Sequence, residues 1–318
     1  KTVYMHIRFI GDLDQKKVTA RSLMLALMRA KNTHYPSRKQ LAKACEMFYD
    51  LHFTSQALKL GTKHIVQFTF AFVHPKFIDD HQYKEEVLKF AKKLLHEPLF
   101  DQQTLKEEKQ FLKDYFDAEY SNKSRYAYKR FSEHLYQGHP FNIHALGDVN
   151  KIDPVTLDDI NESYQTMMHN NSIIMSVTGD QSDFFSIETL KEKLDLKGQS
   201  LPKDFLYKHA IEPLPAVREM MDVSQERLLV AYDTNTYFGD EDYFIALVFN
   251  SLFGDHSDSL LFQTIREKHS LAYYVHASYS PFTGIITVMS GMDAVNIEKA
   301  KQMIDDILAQ ITQGTFKD

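Results

Sequence analysis

"RSLMLALMRAKNTHYPSRKQLAKACEMFYDLHF" spans residues 21–53 and opens with six consecutive apolar residues, Leu23 to Met28. A membrane span needs about 18 or more such residues, and no run in the chain approaches that length. The stretch reads as a helix of about 18–30 that is apolar on every side, and a helix of that kind is buried. An apolar run is a weak functional signal, so on its residues alone this is plain core. A second helix, about 37–50, is opened by Pro36-Ser37.

Working outward, residues 2–10 alternate, with Val3, Met5, Ile7 and Phe9 on one face and Tyr4, His6 and Arg8 on the other. That is a half-buried strand. Residues 52–61 and 64–73 read as strands around Gly61, with Val66, Phe68, Phe70 and Phe72 sharing a face. Helices follow at about 82–96, 104–135 and 156–168, then an apolar strand at 172–180 closed by Gly-Asp. The second half repeats the opening order: a strand at 226–237, helices near 242–253 and 258–267, strands near 271–279 and 284–291, and a helix near 296–312. An order of strand, two helices, two strands and helix that recurs after about 220 residues argues for a duplicated unit. Residues 196–222 carry Gly198, Pro202, Pro213 and Pro215 with little periodicity and read as a linker. The expected fold is therefore α+β, with mostly antiparallel sheets packed with helices. The domains fall at 1–195 and 223–318, and the second copy is incomplete at its C-terminal end.

The composition agrees with two soluble domains. The chain has 318 residues, against roughly 150 per domain. It is 43% hydrophobic and 25% charged, the balance of an ordinary globular protein. The net charge of −6 comes from interleaved Lys and Glu without a basic block, which excludes nucleic acid as an expected partner. The opening Lys-Thr-Val-Tyr-Met-His alternates as a strand and is not a signal peptide. Cys45 is the only cysteine, which points to a buried hydrophobe in a reducing, cytoplasmic setting. The chain begins at Lys1 without Met and ends on Gly-Thr-Phe-Lys-Asp, so a fragment of something longer is expected.

Three further stretches belong together: "NTHYPS" (32–37), "HPFNIHALGDVNKIDPVTLDDINESY" (139–164) and "SLLFQTIREKHSLAYYVHASY" (259–279). In their order and spacing the chain resembles the insulinase (pitrilysin) family of inverted-motif zinc peptidases over nearly its whole length. "SNKSRYAYKRFSE" (121–133) further resembles the non-catalytic bacterial branch of that family. In active members the helix before a Gly-Thr-x-x-Tyr-Pro landmark carries His-x-x-Glu-His. Counted back from Asn32-Thr33, those slots fall on Leu23, Ala26 and Leu27. Zinc needs two imidazoles one turn apart, and the bound water needs a carboxylate base. Leu, Ala and Leu offer no lone pair, so no metal, no cofactor and no catalytic residue is expected. The best match to the family's third ligand is Asp114, which by itself is a solvated helix residue. Residues 130–134, Arg-Phe-Ser-Glu-His, imitate the inverted motif, but a guanidinium has no lone pair for a metal.

The resemblance also implies a substrate-binding pair. The family pattern Arg-Glu-Lys-x-x-Leu-Ala-Tyr stands here at 266–273, which makes Arg266 and Tyr273 the residues that face the zinc helix and hold the substrate backbone. Without the resemblance, Arg266 is an ordinary helix C-terminal cation and Tyr273 an ordinary strand residue. The Gly-rich substrate loop of the processing-peptidase companions is absent, since "NSLFGDHSDSLLF" (250–262) has one glycine. The implied function is that of a non-catalytic subunit of a two-chain zinc peptidase, closing the chamber around peptide while a His-x-x-Glu-His homologue supplies the zinc. The alternative is a non-proteolytic peptide-binding or assembly module. In isolation the chain could pair as a homodimer, and no membrane is involved.

Overall fold

Val3, Met5, Ile7 and Phe9 have no exposed surface, and their alternation builds β1 (Thr2–Asp12) as the expected half-buried strand. The computed structural model describes residues 1–180, 185–202, 204–206, 208 and 212–315. β1 pairs antiparallel with β3 (Lys63–Val73) on one side and β4 (Ser172–Thr178) on the other. β2 (His52–Leu60) pairs with β3 across a tight turn, giving the sheet order β2-β3-β1-β4. Gly61 in that turn has φ 53, a left-handed conformation that glycine adopts without a Cβ penalty.

The inner face of this sheet is aromatic. Phe9 meets Phe68 edge-on at 6.0 Å, and Phe53 stacks on Phe70 at 5.0 Å. Phe9, Phe68 and Phe70 are fully buried, and each such side chain contributes about 1.5–3 kcal/mol. Against the face lie α1 (Val18–Ala30), α2 (Arg38–Met47) and α3 (Tyr83–His96). α3 buries Val87, Leu88, Phe90, Ala91, Leu94 and Leu95 on one stripe and keeps its lysines on the other. α6 (Leu157–Asn170) packs on α1. It starts with a capping box in which Thr156 and Asp159 satisfy each other's backbone N–H groups.

The stretch expected as one helix over 104–135 is two. α4 (Gln102–Ser121) stops at Asn122, whose extended backbone and side-chain bond from Arg125 N start α5 (Lys123–Leu135). A short helix, α7 (Ile187–Lys193), was not expected and is capped by Ser186.

The second sheet has the order β5-β7-β6, with β5 (Glu226–Asp233), β6 (Ala272–Ser280) and β7 (Ile285–Met292) all antiparallel. Reading β5 as β1, β6 as β2 and β7 as β3 gives the same order twice, so the duplication extends to sheet topology. Its helices are α8 (Tyr243–Asn250) and α9 (Ile297–Thr312), which buries Ala300, Ile304 and Ile307. The segments Ser251–Asp255 and Phe262–Lys268 are wider, π-type turns.

Two compact units emerge, Lys1–Ala118 with His139–Phe205, and Glu119–Gly138 with Leu206–Asp318. The boundaries expected at 195 and 223 therefore shift. The first unit runs to Phe205, whose carbonyl accepts from Thr62 N at 3.0 Å. Residues 119–138 join the second unit because Arg227 Nε donates to Ser124 Oγ at 3.0 Å and Arg130 Nε to Glu219 Oε1 at 2.6 Å. Of the expected linker 196–222, residues 203, 207 and 209–211 lie outside the described residues.

Candidate functional site

The three slots on α1 are hydrocarbon in a hydrocarbon setting. Leu23 and Leu27 are buried among Val3, Met5, Met24, Met28 and the phenylalanines of the first core. The helix is not closed on every side as expected: Ala26 is half-buried and Arg29 is exposed. Ala26 and Arg29 lie three residues apart and share a narrow face. A zinc ion does not fit here. No slot bears a donor atom, and a dication in this core would lose its hydration without compensation. Among the described residues no three His, Cys, Asp or Glu side chains converge as a metal site.

The turn that follows α1 is built by Asn32. Asn32 is wholly buried. Its Oδ1 accepts from Tyr35 N at 2.8 Å and His34 N at 3.1 Å, and its Nδ2 donates to Lys93 O at 3.2 Å. The side chain thus builds the turn that carries Tyr35 onto Phe90, centroids 5.6 Å apart.

Residues 141–148 are fastened to the start of α1 and to the sheet. Ser22 Oγ donates to Ala145 O at 3.3 Å, and Asp148 N donates to Thr19 Oγ1 at 3.1 Å. His64 Nε2 donates to the same Ala145 carbonyl at 2.9 Å. Burial, then the charge of Arg21, push His64 down to about 4, so it is neutral at pH 7. Lys59 Nζ donates to Phe141 O at 2.6 Å and Ile143 O at 3.1 Å, and burial pushes it down to about 8.

Asp114 is exposed and accepts from Gln110 Nε2 at 2.8 Å. The carboxylates that α4 buries are Glu108, paired with Arg38, and Glu119. The imitation motif on α5 is an ion-pair group: Arg130 binds Glu133 and Glu219, and His134 Nε2 lies 4.0 Å from Glu219 Oε1.

Arg266 and Tyr273 both belong to the second unit, joined by a sharp reversal in which Ser270 has φ 49. Arg266, in the π-type turn, lies with its guanidinium 4.6 Å from the Phe262 ring centre and 3.6 Å from Glu267 Oε1. Tyr273 lies at a register shift in the β6–β7 pairing. Its side chain is 54% exposed, and its hydroxyl donates to Asp293 Oδ1 at 3.1 Å. That bond and the Asp293 charge raise the phenol pKa. Each member of the pair thus already holds an acidic neighbour, and Tyr273 must release Asp293 before it can donate to a peptide carbonyl. Asp293 was not foreseen from the sequence, since it stands twenty residues from Tyr273 on the far side of β7.

Comparison with known proteins identifies the family of the fold. The family described as "Peptidase M16 inactive domain" matches residues 154–318. The chain is similar to a Bacillus subtilis (strain 168) protein named "Probable inactive metalloprotease YmfF", with 27% identity over 327 residues, all of this chain and 76% of the relative. Among solved structures, a conserved protein from Enterococcus faecalis V583 superposes with TM-score 0.89 at 27% identity, over 100% of this chain and 76% of that one. A peptidase M16 inactive domain from Pseudomonas fluorescens gives TM-score 0.77 over 99% of this chain and 75% of that one, and at 19% identity shows the fold alone.

Proposed function

Because the chain belongs to the peptidase M16 family and is a non-catalytic member of it, we propose that it serves as the non-catalytic subunit of a two-chain zinc peptidase. The partner is a homologue with an intact His-x-x-Glu-His helix. This chain closes part of the chamber and holds an extended peptide with Arg266 and Tyr273. One observation carries the reading. The slots for hydrolysis hold buried Leu23 and Leu27, while the two residues suited to grip a peptide backbone stand at exposed positions. An Arg and a Tyr supply donors to carbonyl oxygens, and those donors act on a developing oxyanion once a neighbouring metal site polarises the bond. The single free cysteine, Cys45, raised to about 11 mainly by burial, supports a reducing compartment.

The test is to mix the purified chain with an intact-motif homologue and follow peptide cleavage. Cleavage rises on mixing, and Arg266→Ala lowers the mixed rate about tenfold, the scale of one transition-state hydrogen bond. An unchanged rate on mixing overturns the proposal.

A second reading, an assembly module without a role in proteolysis, is favoured by α8. That helix exposes Phe244, Ile245 and Val248, an apolar face of the kind that marks protein contacts. It predicts a stable complex that is indifferent to Tyr273→Phe.

A further inference from the structure

The first unit buries a positive charge that forms no ion pair among the described residues. Arg21, on α1, is 5% exposed, and its Nε and Nη2 have no hydrogen-bond partner among the described residues. Asn171, immediately after α6, is 2% exposed, and its Nδ2 is likewise unpartnered. The two side chains meet over Gly11 of β1: a β-carbon there would collide with both Asn171 Nδ2 and Arg21 Nη1. Arg21 Nη1 and Asn171 Nδ2 thus meet at Gly11, and the unpartnered Nε and Nη2 belong to the same guanidinium.

The acceptors nearby do not match them. The carboxylate whose field reaches Arg21, Asp12, is 85% exposed and accepts from Lys63 Nζ at 2.6 Å. His64 also lies within the field of Arg21, but as a neutral ring with its Nε2 proton on Ala145 O. Its free Nδ1 is a single uncharged acceptor. Burial pushes Arg21 down to about 10, which still leaves it charged at pH 7. A water molecule satisfies donors but does not cancel a charge. An unpaired buried ion costs several kcal/mol, and a guanidinium is matched best by two coplanar oxygens of an anion.

There is also a way in. A cleft of about 220 Å³ reaches Arg21 from the surface, lined by Lys16, Lys17, Ala20, Ser163 and Thr166 together with Asp159 and Glu162. Of its two carboxylates, Asp159 caps α6, and the exposed Glu162 lies 4.0 Å from Lys17 Nζ. Lys16, Lys17 and Arg21 against the two carboxylates leave the cleft net positive by one charge.

We propose that Arg21, with Asn171 beside its guanidinium, forms the floor of a binding site for a small oxyanion, a carboxylate or a phosphate, which enters past Lys16 and Lys17. The site lies wholly within the first unit and is independent of the reading of Arg266 and Tyr273.

Calorimetric titration of the whole chain with inorganic phosphate and with acetate, at fixed ionic strength, tests it. At least one oxyanion binds saturably and raises the melting temperature. Binding of both identifies a carboxylate-compatible site, and binding of phosphate alone a phosphate site. Arg21→Gln weakens binding at least tenfold. Asn171→Asp places a carboxylate beside the guanidinium, so it abolishes binding and raises the melting temperature without ligand. The surface pair Lys16→Ala and Lys17→Ala weakens binding severalfold and keeps the assay decisive if Arg21→Gln does not fold. Failure of both oxyanions to bind saturably, or undiminished binding by Asn171→Asp, overturns the proposal.

Discussion

α1 and α8 occupy the same place in the two copies of the repeated unit, and both are rich in hydrocarbon, yet one is buried and the other is not. α1 lies between the sheet and α6, with Leu23, Met24, Leu27 and Met28 fully enclosed. α8 buries Ala246 and Asn250 but leaves Phe244 73% and Val248 69% exposed. Among the described residues of the second unit no helix packs on α8 as α6 packs on α1. An apolar run therefore records that a helix has a neighbour, and the rest of the fold decides whether that neighbour is present in the same unit.

The largest expected contrast comes from placing a charge on each helix. Leu27→Asp strands a carboxylate in the first core and costs more than about 4 kcal/mol, whereas Val248→Asp on α8 stays within about 0.5 kcal/mol. Urea midpoints measure both, and comparable losses would break the comparison.

Acid sharpens it next. His64 has a folded value of about 4, below its unfolded value of about 6.5. Its contribution is complete above about pH 6.5 and is lost as the pH falls toward 4, because the unfolded chain takes up the proton first. The loss approaches about 2–3 kcal/mol, and His64→Gln flattens that limb in urea titrations at pH 7 and pH 4.5.

Two glycines compare the units more gently. Gly147 has φ 97, and its missing β-carbon would overlap Thr19 on α1. Gly239 has φ 87 with open space around it. Gly147→Ala costs about 2 kcal/mol or more, and Gly239→Ala only the backbone term of about 1 kcal/mol. Thermal melts that rank them the other way would show that residues 141–148 do not brace α1. The smallest contrast lies at helix starts. Thr156→Ala removes the capping box of α6 for about 1 kcal/mol, while Asp242→Ala, at the uncapped start of α8, leaves the melting temperature unchanged.

Local periodicity made much of this legible. The alternation of Val3, Met5, Ile7 and Phe9 located β1, and the run Leu23–Met28 located a buried helix. The break at Asn122 carries a readable sign, a capping Asn inside a long polar stretch. The turn at Phe262–Lys268 is wider than 3.6 residues per turn, so a helical count there places side chains on the wrong face. Membership of α5 in the second unit depends on pairs such as Arg130 with Glu219, far apart in the chain. The Arg21 cluster was hidden for the same reason: a lone Arg in an apolar helix reads as a side chain reaching for solvent. Only the approach of Asn171, 150 positions away, shows that it is enclosed.

Leu23, Ala26 and Leu27 on α1 offer no donor atom to a metal ion. Elemental analysis of the purified chain after equilibration with micromolar zinc and removal of free ion tests it directly. No stoichiometric zinc is expected, and the content is unchanged in Leu27→Ala. One zinc per chain, retained together with chelator-sensitive peptide cleavage, would contradict it.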